Sequence, residues 1–438
     1  MDRRNFVVGS LATFGLLSGC DNSPKPGKAL TILGEDSSNL QAIAKYLANN
    51  PLTSGIKGKV EATDFTTASN KAISAFTSKS DAYDVVVGYN FDLPKYANNH
   101  YVLTVDQLKK EANQTTSFAF EADILPNIWK ELGYFQADAD STADPEAVAY
   151  PSSANTMIMV YNQAVFDDPR VARAYKEKFG RPFAPPKTWE EFSTVANLVV
   201  QANPGFKGVA LQGAEGGWLY YEWMNVLFGM GGRTMEKRFG WQSTKQTPLA
   251  LRTVESARAA ELYLSLKPAN AGDFFATDAA TQRDLMLAGK VGLAIAWTDY
   301  VPEFVKAGGF GFAPIPGDVS MIGGGSFFVN RFGAAKKESA ELISNLMSAK
   351  AQKWMALNGL FPPTRSALSD PEVLAIPYMP AVKASLERGT YMLEAGVDAT
   401  LISEKITQAL QEAWRGDITA ETVGARATTL IEAKRSEL

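Results

Sequence analysis

The chain has almost no cysteine or histidine. Cys20 and His100 are the single representatives of these two residue types among 438 residues. A disulfide needs two cysteines and the common zinc sites need several Cys or His ligands, so the sequence excludes both. A histidine-dependent catalytic triad would have to use His100. We therefore expect no cofactor, and a fold that is stabilised by the burial of apolar side chains.

The sequence also lacks the features of a nucleic-acid-binding protein. Its formal net charge is -4 and its pI is about 5.4, and it has no cluster of Lys and Arg, no RNA-binding signature and no Walker-type loop. Nucleic acid is attracted by positive fields, so it is not an expected partner. A hydrophobic content of 46% with 21% charged residues is instead typical of a globular domain.

The apolar run closest to the N terminus is too short to span a membrane. It extends from Phe6 to Leu17 and follows Arg3 and Arg4. A basic start, an apolar stretch and small residues at its end are typical of a secretory signal peptide, whereas a membrane-spanning helix needs roughly 20 apolar residues. We predict that residues 1–19 are a signal peptide that is removed after export.

Residues 17–20, with the sequence LSGC, resemble the bacterial lipobox. In that motif the cysteine thiol receives a diacylglyceryl group and becomes the first residue of the mature chain, which predicts a lipid on Cys20. The polar residues 20–27 contain Pro and Gly and are expected to form a tether between the lipid and the folded body. The mature protein would be anchored at the periplasmic or extracellular face of the cytoplasmic membrane.

Short apolar runs alternate with segments of helical periodicity along the rest of the chain. This alternation predicts an α/β fold with largely parallel sheets, and the length predicts two domains. The expected strands are residues 29–33, 83–87, 157–161, 208–211, 291–297 and 326–329. Helices are expected at residues 40–47, 335–350 and 402–414. Another should begin after Thr188, where Glu191 would complete a capping box.

Polar and aromatic side chains follow several of these strands. Ligands of open α/β sheets bind outside the carboxyl ends of the strands, so such residues are candidates for ligand contact. They are Glu35, Asp36, Tyr89, Asn90, Trp297 and Asp299. Carboxylates and amides hydrogen-bond hydroxyl groups, and flat aromatic rings pack on the C–H face of a sugar, so the pattern favours a carbohydrate site.

A further candidate is one face of the segment that follows strand 208–211. Residues at the spacing i, i+3, i+4 and i+7 share this face, namely Trp218, Tyr221, Glu222 and Asn225. The opposing stripe contains Tyr220, Trp223 and Leu227. Periodicity does not decide which stripe packs in the core, so Trp218 and Tyr221 are candidates either for ligand contact or for packing.

Six stretches follow one another along the chain, namely residues 149–162, 186–192 (PKTWEEF), 289–297, 314–317 (PIPG), 323–325 (GGG) and 362–365 (PPTR). Taken together and in this order, they resemble the bacterial extracellular solute-binding proteins of family 1, the carbohydrate-binding subunits of ABC importers. Four residues within these stretches, Asn155, Gly324, Gly325 and Arg365, join the candidate ligand contacts.

The resemblance implies a two-lobed periplasmic-binding-protein type II fold, with a hinge and a ligand cleft between the lobes. Lobe one would comprise residues 28–149 and 311–349, and lobe two residues 150–310 and 350–438. Such a protein is not an enzyme. It captures a sugar or oligosaccharide as a monomer and delivers it to an ABC permease and its ATPase, closing around the ligand by hinge motion.

Each candidate residue also has a structural interpretation. Trp297 could pack in the core, Glu35 and Asp36 could favour the start of a helix, and the glycines could turn the chain. Arg365 could anchor an anion or form a salt bridge between the lobes.

Other ligands and other functions stay open at this point. A phosphorylated polyol such as glycerol phosphate is one alternative cargo. Ferric iron is another, since Tyr220 and Tyr221 are adjacent, but both could bind one metal only if their helix were interrupted. A lipid-anchored glycosidase would need a pair of carboxyl groups about 5 to 9 Å apart. A purely structural envelope lipoprotein would bind no ligand.

Overall fold

The computed structural model describes residues 29–135, 144–236, 247–390 and 399–435. The predicted signal peptide, Cys20 and the tether lie outside these ranges. No helix among the described residues is both long enough and apolar enough to cross a membrane.

The described strands are short. In chain order they are β1 Leu30–Glu35, β2 Gly58–Thr63, β3 Val85–Tyr89, β4 Tyr134–Phe135, β5 Glu146–Ala147, β6 Tyr150–Pro151, β7 Met157–Asn162, β8 Lys207–Ala210, β9 Val291–Trp297, β10 Phe310–Pro314, β11 Ser320–Met321, β12 Gly325–Val329 and β13 Gly389–Thr390. All six strands expected from the sequence are present, and their ends differ from the predicted ones by at most two residues.

The helices account for most of the remaining residues. They are α1 Ser38–Asn49, α2 Phe65–Thr77, α3 Leu93–Asn98, α4 Val105–Glu111, α5 Pro126–Gly133, α6 Gln163–Phe166, α7 Pro169–Phe179, α8 Trp189–Ala202, α9 Trp218–Gly229, α10 Val254–Ser265, α11 Ala279–Leu287, α12 Val301–Ala307, α13 Lys336–Leu346, α14 Ala349–Ala356, α15 Arg365–Leu368, α16 Pro371–Leu374, α17 Met379–Glu387, α18 Ala399–Arg415 and α19 Val423–Arg435. A 3-10 turn, Thr298–Tyr300, directly follows β9.

Two helix predictions need correction. The single helix expected at residues 335–350 is two helices, because Ser348 caps α14 by accepting a hydrogen bond from the amide of Ala351 at 3.3 Å. Thr188 does cap α8, since its hydroxyl accepts from the amide of Glu191 at 3.1 Å. The Glu191 carboxylate, however, accepts from the amide of Lys187 at 3.0 Å, so the reciprocal half of the capping box is missing.

The strands form two main sheets, one in each lobe. The first has the order β2-β1-β3-β12-β6 and the second has the order β10-β7-β9-β8. The expectation of largely parallel sheets is wrong, because β12 runs antiparallel to β3 and β7 runs antiparallel to β9. β12 and β7 begin at the edge of their sheets that faces the other lobe, because the connecting segments arrive at this edge. β3 and β9 end at the same edge, so each runs antiparallel to its neighbour.

Three segments of the described chain pass between the lobes. They are residues 152–156, residues 315–324, and the stretch after α14, between residues 357 and 378. The predicted lobe boundaries at residues 150, 311 and 350 each lie a few residues before these segments. β6 and β10 pair in the first and second sheet respectively, and α14 packs on α1, where the rings of Trp354 and Tyr46 lie 5.5 Å apart.

Buried apolar side chains connect the two lobes. One cluster fills the first lobe between its sheet and helices α1, α13 and α14, with Ile32 and Ile343 among its members. A second cluster lies against the second sheet and includes Ile158 and Phe304. The largest cluster extends from Phe328 in the first sheet to the helices of the second lobe, so the lobes share part of their core.

Candidate functional site

The first lobe presents a carboxylate and a phenol at the edge where its parallel strands end. Glu35 is the last residue of β1 and Tyr89 is the last residue of β3. The Tyr89 hydroxyl donates a hydrogen bond to Glu35 Oε2. Burial, and then the negative charge of Glu35, raise the pKa of Tyr89 well above its usual value, so the phenol stays protonated and acts as a donor.

Asn39, Asn155 and Asp299 join the two lobes at the floor of the cleft. Asn39 lies in the first turn of α1, Asn155 in the first connecting segment, and Asp299 in the turn after β9. The Asn39 side-chain amide donates to Asn155 Oδ1 at 3.1 Å and to Asp299 Oδ1 at 3.3 Å. Asn155 in turn donates to Asp299 Oδ2. This ring of hydrogen bonds fixes the Asp299 carboxyl group in the seam between the lobes.

The pKa of Asp299 is strongly shifted by this position. Burial in the seam raises it, and the negative charge of Glu35 raises it further, to about 7. The hydrogen bond from Asn155 acts in the opposite direction but does not compensate. With a pKa of about 7, the Asp299 carboxyl group changes its charge near neutral pH.

Aromatic rings of the second lobe surround the end of β9. The rings of Trp297 and Tyr221 lie edge to face at 5.6 Å, and those of Trp218 and Tyr221 at 6.5 Å. All three side chains are partly exposed. The buried indole nitrogen of Trp297 has no hydrogen-bond partner among the described residues. A hydroxyl acceptor in the cleft would satisfy this donor.

The first lobe contributes rings of its own to the cleft. Phe65 lies 5.5 Å from both Tyr89 and Phe91, and the rings of Tyr89 and Phe91 are stacked at 5.7 Å. Phe65 is 43% exposed, which is unusual for a ring of this size. An exposed aromatic surface therefore faces the opposite lobe.

A cavity of about 720 Å³ lies between these surfaces. Phe65 and Phe91 line it from the first lobe, and Tyr220 and Tyr221 line it from the second, together with Gly216. Helix α18 closes one side through polar residues, including Thr407, Gln408 and Gln411. The volume lies in the range of small-molecule sites. Glu35 and Tyr89 line a separate narrow crevice, which shares Phe65 with the lining of the cavity.

Three other residues that were predicted to contact the ligand lie elsewhere in the structure. Asp36 is exposed and accepts from the side chain of Gln41 at 3.0 Å. Asn90 is 3% exposed and lies beneath the strand end. Arg365 is exposed and donates a hydrogen bond to the carbonyl of Ala122, in the first lobe, at 3.5 Å.

Gly324 and Gly325 pack against the first connecting segment. Gly325 pairs with Tyr89 in the first sheet, and its carbonyl accepts from the amide of Ser152 at 2.8 Å. Gly324 has a φ of +131°, and a Cβ atom there would lie 2.3 Å from the carbonyl of Ser153. These contacts give both glycines a structural role in the hinge.

Comparison with known proteins identifies the family. Residues 41–381 match the family described as bacterial extracellular solute-binding protein. The chain belongs to this family. Among curated relatives it is 23% identical over 369 residues to a probable amino-acid ABC transporter periplasmic-binding protein of Sinorhizobium fredii, covering 82% of this chain and 78% of the relative.

A second curated relative matches over a shorter stretch. It is a probable ABC transporter-binding protein of Deinococcus radiodurans, 27% identical over 211 residues, which are 44% of this chain. The match spans about half of that relative, 49% of its length.

Solved structures share the two-lobed fold of this solute-binding protein. The sugar-binding protein MalE of Xanthomonas citri superposes with a TM-score of 0.74 at 17% identity, covering 94% of this chain and 98% of that one. Maltose-bound MalE3 of T. maritima gives 0.70 at 17%, covering 93% and 99%. A solute-binding protein of Agrobacterium radiobacter in complex with ribitol gives 0.70 at 20%, covering 94% and 100%.

Helix α9 of the solute-binding protein settles the question that periodicity left open. Tyr220, Trp223 and Leu227 are buried, and so are Glu222 and Asn225 from the mixed stripe. Asn225 is structural, since its side-chain oxygen accepts from the amide of Met321 in the second connecting segment at 3.1 Å. Within the mixed stripe, Trp218 and Tyr221 in the first turn are partly exposed, and Tyr221 lines the cavity.

Sequence reasoning missed Asn39, Phe65 and Phe91. Phe65 follows β2, which was not expected because Lys59 and Glu61 interrupt its apolar pattern. With β2 recognised, the rule of strand ends would have found Phe65. Phe91 follows Tyr89 by two residues and could have been found in the same way. Asn39 had no signal of its own beyond its place in the first turn of α1.

Proposed function

We propose that this solute-binding protein captures a neutral sugar or polyol between its lobes and delivers it to the membrane subunits of an ABC importer. The observation that carries this proposal is the cleft itself, where exposed aromatic rings and hydrogen-bonding groups of both lobes meet. Rings suit the C–H faces of a polyhydroxylated ligand, and carboxylates and amides suit its hydroxyl groups. The related folds with bound maltose and ribitol support this ligand class, and the curated relatives support an ABC transporter.

The charges of the cleft favour a neutral ligand over a phosphorylated one. Glu35 and Asp299 are acidic, and among the described residues that line the cavity, Lys405 is the single cation beside Glu215 and Glu404. A phosphate would lie near carboxylates without a guanidinium to pair with it. A neutral polyol instead offers hydroxyl donors to the acidic groups.

A ferric site receives no support from the described geometry. Helix α9 is continuous through Tyr220 and Tyr221, so their phenols leave the helix in different directions. Among the described residues, no three His, Cys, Asp or Glu side chains are grouped for a metal ion. The family is also one of solute-binding proteins rather than of enzymes.

Closure of the lobes around the ligand would signal that the site is filled. A ligand that touches both lobes stabilises the closed form by its higher affinity for that form. The proposal includes a lipid on Cys20, which would hold the protein beside its importer, with the tether of residues 20–27 allowing it to reach the permease.

The ligand class can be tested by thermal shift of the protein without residues 1–20. Neutral sugars and polyols, their phosphates and ferric salts are compared in one plate. Ligand at about 100 times its Kd should stabilise the fold by about 2.7 kcal/mol. We expect stabilisation by a neutral compound. Stabilisation by phosphorylated compounds alone or by iron alone would contradict the proposal.

Replacement of Trp297 tests the stacking surface. Trp297→Ala should raise the Kd of the neutral ligand about tenfold, because a stacking contact contributes up to about 1.5 kcal/mol beyond area burial. Isothermal titration measures the change. The matched control is Trp354→Ala, which removes an indole packed on Tyr46 in the first lobe. An equal rise of Kd in both variants would argue against a stacking role for Trp297.

A further inference from the structure

Helix α18 contributes to the cavity a polar side chain whose hydrogen-bonding capacity is not used by the described chain. Thr407 is 4% exposed and lines the cavity between the lobes. Its hydroxyl oxygen is buried and has no hydrogen-bond partner among the described residues. Burying an unpaired hydroxyl group costs free energy, and most such groups in folded proteins are paired. Thr407 therefore marks a place in the cavity wall where a ligand group can supply the missing bond.

Three other side chains of α18 that line the cavity already have partners within the helix. The Ser403 hydroxyl donates to a backbone carbonyl of the preceding turn at 3.1 Å. The Lys405 ammonium group donates to the side chain of Gln408 at 3.3 Å, and Gln408 donates to Glu412 at 3.0 Å. These groups can turn to a ligand only by giving up a bond, whereas Thr407 gives up none within the described chain.

The cavity wall beside α18 contains the start of α9, which has no side-chain cap among the described residues. Gly216 and Gly217 line the cavity, and Gly217 is the N-cap of α9. The first amides of a helix have no partner within it, so an uncapped start presents hydrogen-bond donors. The two elements are tied together, because Gln411, one turn after Thr407, donates to the carbonyl of Gly213 at 3.0 Å. Donors from α9 and the Thr407 hydroxyl thus border the same space.

We propose that Thr407 is a specificity-determining residue of the cleft, whose hydroxyl group binds one hydroxyl group of the ligand together with the start of α9. The inference rests on the proposed function, because it concerns the ligand of the same cavity. Backbone amides only donate, whereas the threonine hydroxyl both donates and accepts. A ligand hydroxyl can accept from an amide and donate to Thr407 at the same time, which an ether or a methyl group cannot do.

The charges of this wall disfavour a carboxylate in the same place. Glu215 and Glu404 line the cavity together with Lys405, so the wall carries an excess of negative charge. The start of a helix contributes only about half a positive charge. A carboxylate could accept from the amides and from Thr407, but it would be repelled by this excess. A hydroxyl group is neutral and meets no such repulsion.

Thr407→Val tests the proposal, because valine has the shape of threonine without its hydroxyl group. The full chain with Cys20→Ser is titrated calorimetrically with D-glucose, D-galactose, D-mannose, sucrose, trehalose and D-sorbitol, and the compound that binds most tightly serves as the probe. We expect its Kd to rise by about threefold to tenfold in the variant, the range of one neutral hydrogen bond. The urea midpoint should stay unchanged or rise, since the variant no longer buries an unpaired hydroxyl.

Two further variants make the result specific. Thr407→Ser keeps the hydroxyl group and should bind the probe with nearly the parent Kd, although the loss of a buried methyl group lowers its urea midpoint. Thr428→Val is the matched control, since Thr428 is 2% exposed in α19 and its hydroxyl donates to the carbonyl of Gly424 at 2.8 Å. This variant should lower the midpoint and leave the Kd unchanged.

The outcomes separate this inference from the function on which it rests. An unchanged Kd in Thr407→Val, or an equal rise in Thr407→Val and Thr407→Ser, would overturn the role of the Thr407 hydroxyl while ligand capture stands. Failure of the parent protein to bind any of the six compounds would contradict the capture of neutral sugars and polyols, and this subsite with it.

Discussion

At the scale of single residues, the cleft side of the second lobe depends on a carboxyl group that lies below the ligand surface. Glu222 follows Tyr221 in α9 and is 1% exposed. It accepts a hydrogen bond from the amide of Gln212 at 2.6 Å, and burial raises its pKa well above the usual range. Burial thus favours the neutral form of Glu222, and its hydrogen bond ties the end of β8 to the helix that carries Trp218 and Tyr221.

Glu222→Gln should remove a pH-dependent loss of stability. The native state keeps the proton of Glu222 while the unfolded state releases it above about pH 4.5, so the native fold loses free energy as the pH rises. Above about pH 4.5 the variant should gain stability relative to the parent protein as the pH rises, by at most about 1.4 kcal/mol per pH unit. Urea unfolding at several pH values measures this gain.

The control for this prediction is Glu222→Leu. It is uncharged too, but it leaves the Gln212 amide without an acceptor, which costs about 1 to 3 kcal/mol at every pH. If the gain of Glu222→Gln did not grow with pH, Glu222 would be charged in the native state.

At the scale of elements, the second connecting segment reaches the first sheet through a glycine at which any side chain should lower the stability of the fold. Gly324→Ala should destabilise the fold by more than about 3 kcal/mol, because it combines a φ of +131° with a Cβ atom 2.3 Å from the Ser153 carbonyl. The free energy of unfolding in urea measures the loss.

Gly309→Ala is the matched control, since Gly309 has a φ of +77° but nothing within 4 Å of an added Cβ atom. This variant should lower the free energy of unfolding only through the strain of a positive φ, by about 1 kcal/mol. Equal losses in the two variants would show that the contact with Ser153 is not rigid.

The sequence predicted elements well where one periodicity dominates. β9 was predicted at its observed bounds, because residues 291–297 are apolar throughout and end at a polar turn. β2 was missed because its charged residues alternate without an apolar run, and the break before α14 was missed because the apolar spacing continues across Ser348. The direction of β12 and β7 could not be predicted, since strand polarity depends on where the chain crosses between the lobes.

The candidate site was predictable only as a set of strand ends. Glu35, Tyr89, Trp297 and Asp299 were predicted from the position of ligands at open sheets, and all four lie at the ends of strands. Of these, Glu35 and Tyr89 line the crevice. Their partners across the seam, such as Asn39, depend on how the lobes approach each other. That arrangement is a property of tertiary packing and has no local sequence pattern.

At the scale of the whole molecule, the continuity of the core predicts how the protein unfolds. The largest buried cluster includes Phe328 of the first sheet and Trp223 of the second lobe, so neither lobe loses its packing alone. We expect a single cooperative thermal transition, with equal calorimetric and van't Hoff enthalpies. Two resolved transitions in scanning calorimetry would show that the shared core contributes little.

The three connecting segments also limit the mechanics of the molecule. Two rigid bodies joined by one strand can twist, slide and bend, but a triple attachment along one edge suppresses twisting and sliding and leaves rotation about a single axis. The state of the protein is then described by one angle. A displacement of a few tenths of an ångström beside that axis becomes several ångströms at the outer rims of the lobes. The distance between these rims is therefore the most sensitive indicator of whether the cleft is filled.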